Sequence, residues 1–418
     1  MRLSLAVLTV VMASAVIAAP AEQTDPALLA TTQSANTFSN NFFQEIAQKN
    51  NGNLIMSPFS VDVVLAMASL GASGNTAAQM KSALALSADE NSVKNGYKTL
   101  IEKLNNIKDV ELSVANKIYT KEGFAIKPEF KAATENVFKS VSESVDFSQA
   151  DAAAQKINGW ASAQTHDRIK EIVNANDLGP LTALVLLNAV YFKGNWATQF
   201  NPKATADLPF NLNAQTKKNV PTMYRKGDIK FGVLPELKAS FVELPYKGNE
   251  LSMVIILPDE IEGLTEVENK LKGVSLDSLL SKGYEQEVEL YLPKFTIEST
   301  LELEEPLKKL GMTDMFDTSA DFSNIADAPL YVSKVIQKAF IQVNEEGSEA
   351  AAVTDTDLSW RMGWDDSERF AVNRPFLAIV KSKDNVVLFN ARISNPLEVP
   401  AKKKIVARAL ASIFFPDI

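Results

Sequence analysis

The spacing of hydrophobic residues changes along the chain from a helical period to a strand period, and this change limits the possible folds. In the first half, apolar residues such as Phe38, Phe42 and Ile46 recur at helical spacing. The second half consists mostly of β-branched and aromatic runs bounded by turn residues, which predicts strands. These runs cover residues 185–192, 251–257, 288–297, 331–343 and 376–389. Helices first and strands later predict an α+β fold with one or more large, mainly antiparallel sheets.

A long helix is also predicted over residues 152–173, because Ile157, Trp160, Ile169 and Ile172 lie at helical spacing. Beyond the N-terminal apolar segment there is no internal repeat, low-complexity block or linker rich in Pro, Gly or Ser. Nothing therefore marks a boundary between two domains, although the length would allow two. We predict one domain over residues 30–397.

Residues that carry conventional catalytic and metal chemistry are rare among the 418 residues. The chain has no cysteine, which excludes disulfides, thiolate metal ligands and cysteine nucleophiles. Its single histidine, His166, lies in a polar stretch typical of a solvated helix face, so a Ser-His-Asp triad is not expected. A Gly-x-Ser-x-Gly elbow is also missing, which argues against a hydrolase. We expect no enzymatic activity, no catalytic residue, no metal site and no cofactor.

The first residues have the pattern of a secretory signal peptide. Arg2 precedes an almost uninterrupted apolar run over residues 3–19, and small residues follow at its end. Cleavage after Ala18 is expected, which makes residues 1–18 the signal peptide, although a site after Ala21 fits as well. A membrane anchor is the alternative, but the run is at the short limit for a span. We expect a secreted, extracellular protein whose core alone supplies its stability.

An acidic and alanine-rich segment follows the strand-like run that ends at Val343. With a period of two, one side of this segment carries mainly small, uncharged side chains. These side chains are Ser348, Ala350, Ala352, Thr354, Thr356 and Leu358. Because Ala, Asp and Glu have low strand propensity, an ordinary exposed loop explains the same composition. The residues alone leave two interpretations open, a surface loop and a loop that is able to become a strand.

Six motifs resemble signatures of the serpin family and occur in the family's order between about residues 38 and 396. They are NLIMSPFS at 53–60 with GASGNT at 71–76, INGW at 157–160, LNAVYFKGNW at 187–196, LPKF at 292–295, EEGSEAAAVT at 345–354 and FAVNRPF at 370–376. The resemblance implies a single-domain serpin fold, with helices packed on a large, mainly antiparallel sheet, further sheets and an exposed reactive loop at about 345–369.

The resemblance also implies a suicide inhibitor of serine proteases. In such an inhibitor the protease serine forms an acyl-enzyme with the loop, and the cleaved loop inserts as an extra strand in the large sheet. Insertion distorts the oxyanion hole of the protease, so deacylation stalls. The serpin hinge must slide between strands, and here its inserting face has no bulky or charged side chain. The hinge residues are Glu345, Glu346, Gly347, Ser348, Glu349, Ala350, Ala351, Ala352 and Thr354.

By its distance from the first hinge glutamate, the scissile bond of the family corresponds to Arg361–Met362. An arginine there implies a trypsin-like target, whose specificity pocket pairs a carboxylate with the guanidinium. Met362 replaces the small residue that the family often has, and the stretch up to Phe370 is a few residues longer than the family pattern. Trp360 or Trp364 at the bond would instead imply a chymotrypsin-like target, and Arg369 would require a very different alignment of the loop.

The expected partner is a trypsin-like serine protease, held in a covalent 1:1 complex by a monomeric inhibitor. The alternative is a non-inhibitory serpin, a carrier or storage protein that proteases cleave as a substrate.

Other partners are not expected. The net charge of −9 argues against nucleic-acid binding, and Lys94, Lys98 and Lys103 are too few for a heparin groove. Residues 398–418 extend beyond the usual family end, as a basic amphipathic helix or a disordered tail. The lack of cysteine and the loop sequence resemble arthropod haemolymph serpins.

Two groups of supporting residues correspond to places where serpin sheets open. Ser57, Ser60, Asn188 and Gln337 match the buried polar cluster called the shutter, where the central strands must part. Gln337 replaces the usual histidine of that cluster, and its amide can donate and accept hydrogen bonds but cannot become charged.

The second group matches the breach, the end of the sheet where insertion begins. It consists of Trp196, Lys294 and Glu345, and the resemblance implies an ion pair between Lys294 and Glu345. An unpaired surface lysine is the alternative for Lys294.

Overall fold

The computed structural model describes residues 25–347 and 367–398. Within these ranges the helices are α1 (Pro26–Ala47), α2 (Pro58–Ser69), α3 (Gly74–Ala83), α4 (Glu90–Asn105), α5 (Pro128–Phe138), α6 (Ala150–Gln164), α7 (Leu264–Lys270), α8 (Leu276–Leu280) and α9 (Glu304–Lys309). The strands are β1 (Leu54–Met56), β2 (Val110–Lys121), β3 (Glu143–Val145), β4 (Leu184–Gly194), β5 (Ala206–Asn211), β6 (Lys217–Leu234), β7 (Ala239–Pro245), β8 (Leu251–Pro258), β9 (Tyr284–Pro293), β10 (Phe295–Glu302), β11 (Val332–Val343), β12 (Glu368–Ala371), β13 (Phe376–Ser382) and β14 (Val387–Ile393).

The strands form two sheets. The five-stranded sheet has the order β10–β11–β4–β2–β3, and the nine-stranded sheet has the order β1–β14–β13–β8–β7–β6–β9–β12, with β5 paired to β6. Most neighbouring strands are antiparallel, but β11 with β4, β2 with β3, and β12 with β9 are parallel. The predicted α+β class, with large and mainly antiparallel sheets, is confirmed.

Helix α2 lies in the core between the two sheets. Pro58 in its first turn and the N-cap Ser57, whose hydroxyl accepts a hydrogen bond from the Ser60 amide, fix where it begins. Every residue of α2 is buried. The helix packs against β14 of the nine-stranded sheet and against β2 and β4 of the five-stranded sheet. Movement of α2 would therefore disturb the packing of both sheets.

A smaller core covers the opposite face of the five-stranded sheet. Ile157 of α6 and Ile172 of the following segment share this core with Leu187 of β4 and Ile336 of β11. Both faces of β4 and β11 are thus covered, as is usual for strands that pair in parallel.

The predicted helix over 152–173 is wrong in its second half. Helix α6 ends at Gln164, because His166 and Asp167 adopt left-handed backbone angles with φ of 49° and 60°. Ile169 is still buried, but it reaches the sheet from a non-helical segment. His166 is exposed, as expected, although it lies after the helix rather than on it.

The strand predictions need two further corrections. The runs 288–297 and 376–389 are each two strands, separated at Lys294 and by the turn between β13 and β14. The helical first half also contains the twelve-residue strand β2, which the sequence prediction missed.

Helix α1 is the first described element. It begins at Pro26, where the carboxylate of Asp25 caps it. The domain bounds, residues 30–397, stay a prediction. The predicted signal peptide, and the C-terminal extension beyond Glu398, lie outside the described residues. None of the helices in the described ranges combines the length and the apolarity that a membrane span requires.

Candidate functional site

The chain leaves β11 through a turn that is fastened to the segment after β4. Asn344 and Gly347 form an isolated bridge at the two ends of the turn. The amide of Trp196 donates to the Glu346 carbonyl at 2.9 Å, and its indole nitrogen donates to the Asn344 carbonyl at 3.0 Å. We call this turn, residues 344–347, with its contacts to Trp196, Lys294 and Thr205, the hinge anchor.

Glu345 is the charged centre of the hinge anchor. Glu345 is 7% exposed. Its carboxylate lies 2.7 Å from the Lys294 ammonium and accepts a hydrogen bond from the Thr205 hydroxyl at 2.7 Å. Burial raises the pKa of Glu345, but the hydrogen bonds from Lys294 and Thr205 and the charge of Lys294 together outweigh it, so the pKa is below its ordinary value. The structure thus brings Trp196, Lys294 and Glu345 together, and it adds Thr205, which no sequence pattern marked.

Gly347 occupies a position that only glycine fits. Its φ is +108°, which L side chains rarely adopt. A Cβ built there would lie 2.1 Å from the Gly194 carbonyl oxygen and 2.6 Å from the Trp196 nitrogen. Both are backbone atoms that cannot swing aside, so the close approach of the turn to β4 depends on this glycine.

A cluster of uncharged polar side chains lies halfway along the boundary between β4 and β11. Gln337 of β11 is opposite Asn188 of β4, and its amide nitrogen donates to the Asn188 carbonyl oxygen at 2.6 Å. Gln337 also exchanges two hydrogen bonds with the backbone of Ser57, at 2.9 and 2.8 Å. Asn188 donates to the hydroxyl of Ser60. The four predicted shutter residues therefore meet in one hydrogen-bonded group, and each is at most 1% exposed.

Asn116 of β2 completes this group, although sequence reasoning missed it. Its side-chain oxygen accepts from Asn188 at 2.5 Å, and its backbone carbonyl accepts from Ser140 at 2.7 Å. Asn116 is directly opposite Asn188 in the antiparallel pairing of β2 with β4. We call Ser57, Ser60, Asn116, Asn188 and Gln337 the amide cluster. It joins three neighbouring strands to the start of α2.

The parallel pairing of β4 with β11 determines how a segment that follows β11 could pair with these two strands. These two strands are directly hydrogen-bonded and parallel, over 332–341 against 184–192. A segment that turns back after β11 runs antiparallel to β11 and, because β4 is parallel to β11, antiparallel to β4 as well. Such a segment can form regular antiparallel ladders on both sides once β4 and β11 separate. The hinge anchor lies at the end of the boundary where this segment would begin.

Several predicted site residues lie outside the described residues. They are Ser348, Glu349, Ala350, Ala351, Ala352, Thr354, Arg361 and Met362, together with Trp360 and Trp364. The described part resumes just before β12, where Arg369 stacks over the Tyr291 ring at 5.0 Å. Within the described ranges no group of three or more His, Asp or Glu residues could hold a metal ion.

Comparison with known proteins establishes the family. The sequence model of the family described as Serpin (serine protease inhibitor) matches residues 33–396. The chain belongs to the serpin family. The leukocyte elastase inhibitor of Bos taurus is 39% identical to this serpin over 381 residues, which cover 87% of the chain and 98% of the relative.

Solved structures agree. Serpin48 of the insect Tenebrio molitor, described as a highly specific serpin, matches with a TM-score of 0.81 and 35% identity, covering 87% of this chain and 98% of its own. Human thyroxine-binding globulin complexed with thyroxine matches with a TM-score of 0.82 and 26% identity, covering 89% of this chain and 100% of its own. The predicted family and the predicted serpin fold are confirmed.

Proposed function

We propose that this serpin is a secreted suicide inhibitor of trypsin-like serine proteases that acts through cleavage at Arg361–Met362. Membership of a family of serine protease inhibitors supports inhibition in general. Secretion is supported by the signal-peptide pattern of residues 1–18, and the trypsin-like target by the arginine of the proposed scissile bond.

The observation that carries the proposal is the parallel pairing of β4 with β11 beside the hinge anchor. Cleavage after Arg361 would free the chain on the amino-terminal side of the bond, still joined to β11 through residues 344–347. An inserted strand of about 15 residues would carry its attached end roughly 50 Å along the sheet, since a strand rises about 3.3 Å per residue. A protease bound through an ester at that end would be dragged along and its active site distorted.

The test mixes the mature protein with trypsin, followed by a denaturing gel and mass measurement of the released C-terminal fragment. We expect a stable band at the sum of the two masses and a fragment that begins at Met362. Arg361→Ala should abolish the band with trypsin, whereas Arg361→Lys should retain it, because trypsin accepts either cation. Full inhibition by Arg361→Ala would show that the scissile bond lies elsewhere.

A matched pair of hinge variants tests insertion separately from recognition. Ala350→Arg puts a charged side chain on the face that must enter the sheet, so we expect cleavage without a stable complex. Ala351→Arg puts the same side chain on the opposite face by the period of two, and it should still trap trypsin. Equal trapping by the two variants would contradict insertion in this register.

A carrier function is the alternative, and one cavity favours it. A cavity of about 410 Å³ lies between α1 and the nine-stranded sheet, and Phe43, Leu271, Leu377 and Ile379 supply apolar lining. The structural relative thyroxine-binding globulin was solved with thyroxine bound. Cleavage by trypsin without any covalent band would favour the carrier over the inhibitor.

A further inference from the structure

Helix α2 carries one ionisable side chain, Asp62, and it is completely buried. Asp62 is 0% exposed, and its oxygen Oδ2 accepts a hydrogen bond from the Tyr97 hydroxyl of α4 at 2.6 Å. Its other oxygen, Oδ1, has no hydrogen-bond partner among the described residues. A carboxylate with one unsatisfied buried oxygen is unfavourable, whereas a neutral carboxyl costs much less to bury.

Among the described residues, no positive charge compensates Asp62. Tyr97 is the titratable group of the neighbouring helix α4 that contacts Asp62. The other charged residues of α4 are exposed or form ion pairs, such as Lys94 with Glu90 and Lys103 with Asp384. The charged groups of the other elements packed against α2 also lie in ion pairs or at least partly in solvent. They are Glu45 of α1, Lys81 of α3, Glu129, Lys131 and Glu135 of α5, Glu111, Lys117 and Lys121 of β2, Lys193 of β4 and Arg392 of β14.

The environment therefore favours the neutral form of Asp62. Burial raises the pKa of Asp62 to about 7, and the hydrogen bond from Tyr97 only partly opposes this rise. In the unfolded chain the same carboxyl ionises near pH 3.9. A pKa that is higher in the folded state adds stability that is complete below the unfolded value, and this stability is lost as pH rises through the folded value.

The position of Asp62 connects this burial to the boundary between β4 and β11. Asp62 lies two residues after Ser60 and five after Ser57, both members of the amide cluster. Whatever loosens α2 therefore loosens the hydrogen bonds that join α2 to Asn188 and Gln337 across that boundary.

We propose that Asp62 makes the closed five-stranded sheet pH-dependent: its neutral carboxyl, buried against Tyr97, holds α2 in place, and its ionisation weakens the boundary between β4 and β11. This inference deepens the proposed function and rests on it, because opening of that boundary is the step that insertion requires. The experiments below use no protease, so failure of inhibition and failure of this inference are distinguishable.

The first experiment measures urea unfolding of the wild type and of Asp62→Asn from pH 5 to pH 8. The unfolding constant is taken from the transition that occurs at the lowest urea concentration. Asparagine keeps the shape and the hydrogen bond from Tyr97 but cannot ionise. Relative to Asp62→Asn, we expect the unfolding constant of the wild type to increase about 50-fold between pH 5 and pH 7, and only about twofold more above pH 7. Asp207→Asn, at an exposed position of β5, is the matched control and should show no such change. A ratio that stays constant from pH 5 to pH 8 would overturn the proposal.

Tyr97→Phe keeps the proposal testable if Asp62→Asn does not fold. Removal of the hydroxyl takes away the one hydrogen bond that favours the ionised carboxylate, so the pH at which the stability levels off should move upward. An unchanged or lower levelling-off pH in Tyr97→Phe would overturn the proposal.

The second experiment locates the effect in the sheet. Hydrogen exchange of β4 and β11, read by mass spectrometry, compares the wild type with Asp62→Asn at the same pH, so that intrinsic exchange rates cancel. We expect the wild type to exchange faster than Asp62→Asn at pH 8, by a larger factor than at pH 5. Equal protection at both pH values would show that Asp62 does not act on the boundary between β4 and β11, and the proposal would fall.

Discussion

Strand β11 is held in two places, and the two differ in what holds them. At its C-terminal end Glu345 is paired with Lys294, whose side chain is 37% exposed, whereas in its middle Gln337 is fully buried among uncharged amides and hydroxyls. When the ion pair separates, water can solvate both charged groups. When the buried amides separate, no water is at hand to replace their hydrogen bonds. We therefore expect the hinge anchor to release at low cost, and the amide cluster to control whether the sheet then opens.

The largest effect should come from the amide cluster. Asn188→Ala would remove one hydrogen bond from the buried amide of Gln337 and one from the buried side-chain oxygen of Asn116, which should destabilise the closed form by about 3 kcal/mol. Asn219→Ala, at an exposed position of β6, is the control and should have little effect. Urea unfolding at pH 6 measures both, and a loss for Asn188→Ala no larger than that of the control would remove the distinction between the two places.

Gly347→Ala tests whether the hinge anchor depends on close approach. The strained backbone and the clash with the Gly194 carbonyl should together cost about 2 kcal/mol. Gly123→Ala provides a matched control, because Gly123 also has a positive φ, +89°, but a Cβ added there would meet no atom within 4 Å. A comparable loss in both variants would show that backbone strain, rather than the contact with β4, accounts for the effect.

The ion pair should contribute less. Lys294→Met should cost about 0.5 kcal/mol, and this loss should shrink at high salt, because the lysine is substantially exposed.

The carboxylate of Glu345 should make a pH-dependent contribution to stability. Since the pKa of Glu345 is lowered in the folded state, this contribution is present above the unfolded pKa and is lost as pH falls through the folded pKa. The stability difference between the wild type and Glu345→Gln should therefore vanish in acid. A difference that is the same at pH 6 and pH 3 would refute the lowered pKa.

The smallest effect at pH 8 is expected for Gln337→His, which restores the residue that the family usually has. A neutral imidazole can donate and accept, so the change should cost less than about 0.5 kcal/mol. Burial among neutral groups should lower the pKa of the introduced histidine, so stability should fall as pH drops below about 6.5. Urea midpoints at pH 8 and pH 5.5 measure this, and an equal difference at both would argue that the imidazole is not buried in the amide cluster.

Members of the hinge anchor and the amide cluster were predicted from the sequence only where they correspond to known positions of the family. Ser57 and Asn188 lie in family motifs, and Gln337 stands where the family usually has a histidine; the structure brings the three together. Asn116 and Thr205 lie in no motif, and only the register of β2 against β4 and the path of the chain after β4 bring them to the site. Pairings between residues so far apart in sequence are not encoded by local spacing.

The false extension of α6 has a related cause. Ile169 and Ile172 continue the spacing of Ile157 because they face the same sheet, not because the helix continues. Hydrophobic spacing reports which side of a segment is buried, and a chain that follows a sheet surface without helical geometry can produce the same pattern.

The turn at residues 344–347 would make the proposed strand addition an intramolecular event. The segment that follows it is tethered to β11 beside the boundary, and a short tether gives an effective concentration in the millimolar range. A separate peptide with the loop sequence would need to reach about that concentration to compete for the same position between β4 and β11. Contaminating peptides at micromolar levels should therefore leave the protein unaffected, because the chain's own loop would outcompete them for the proposed position in the sheet.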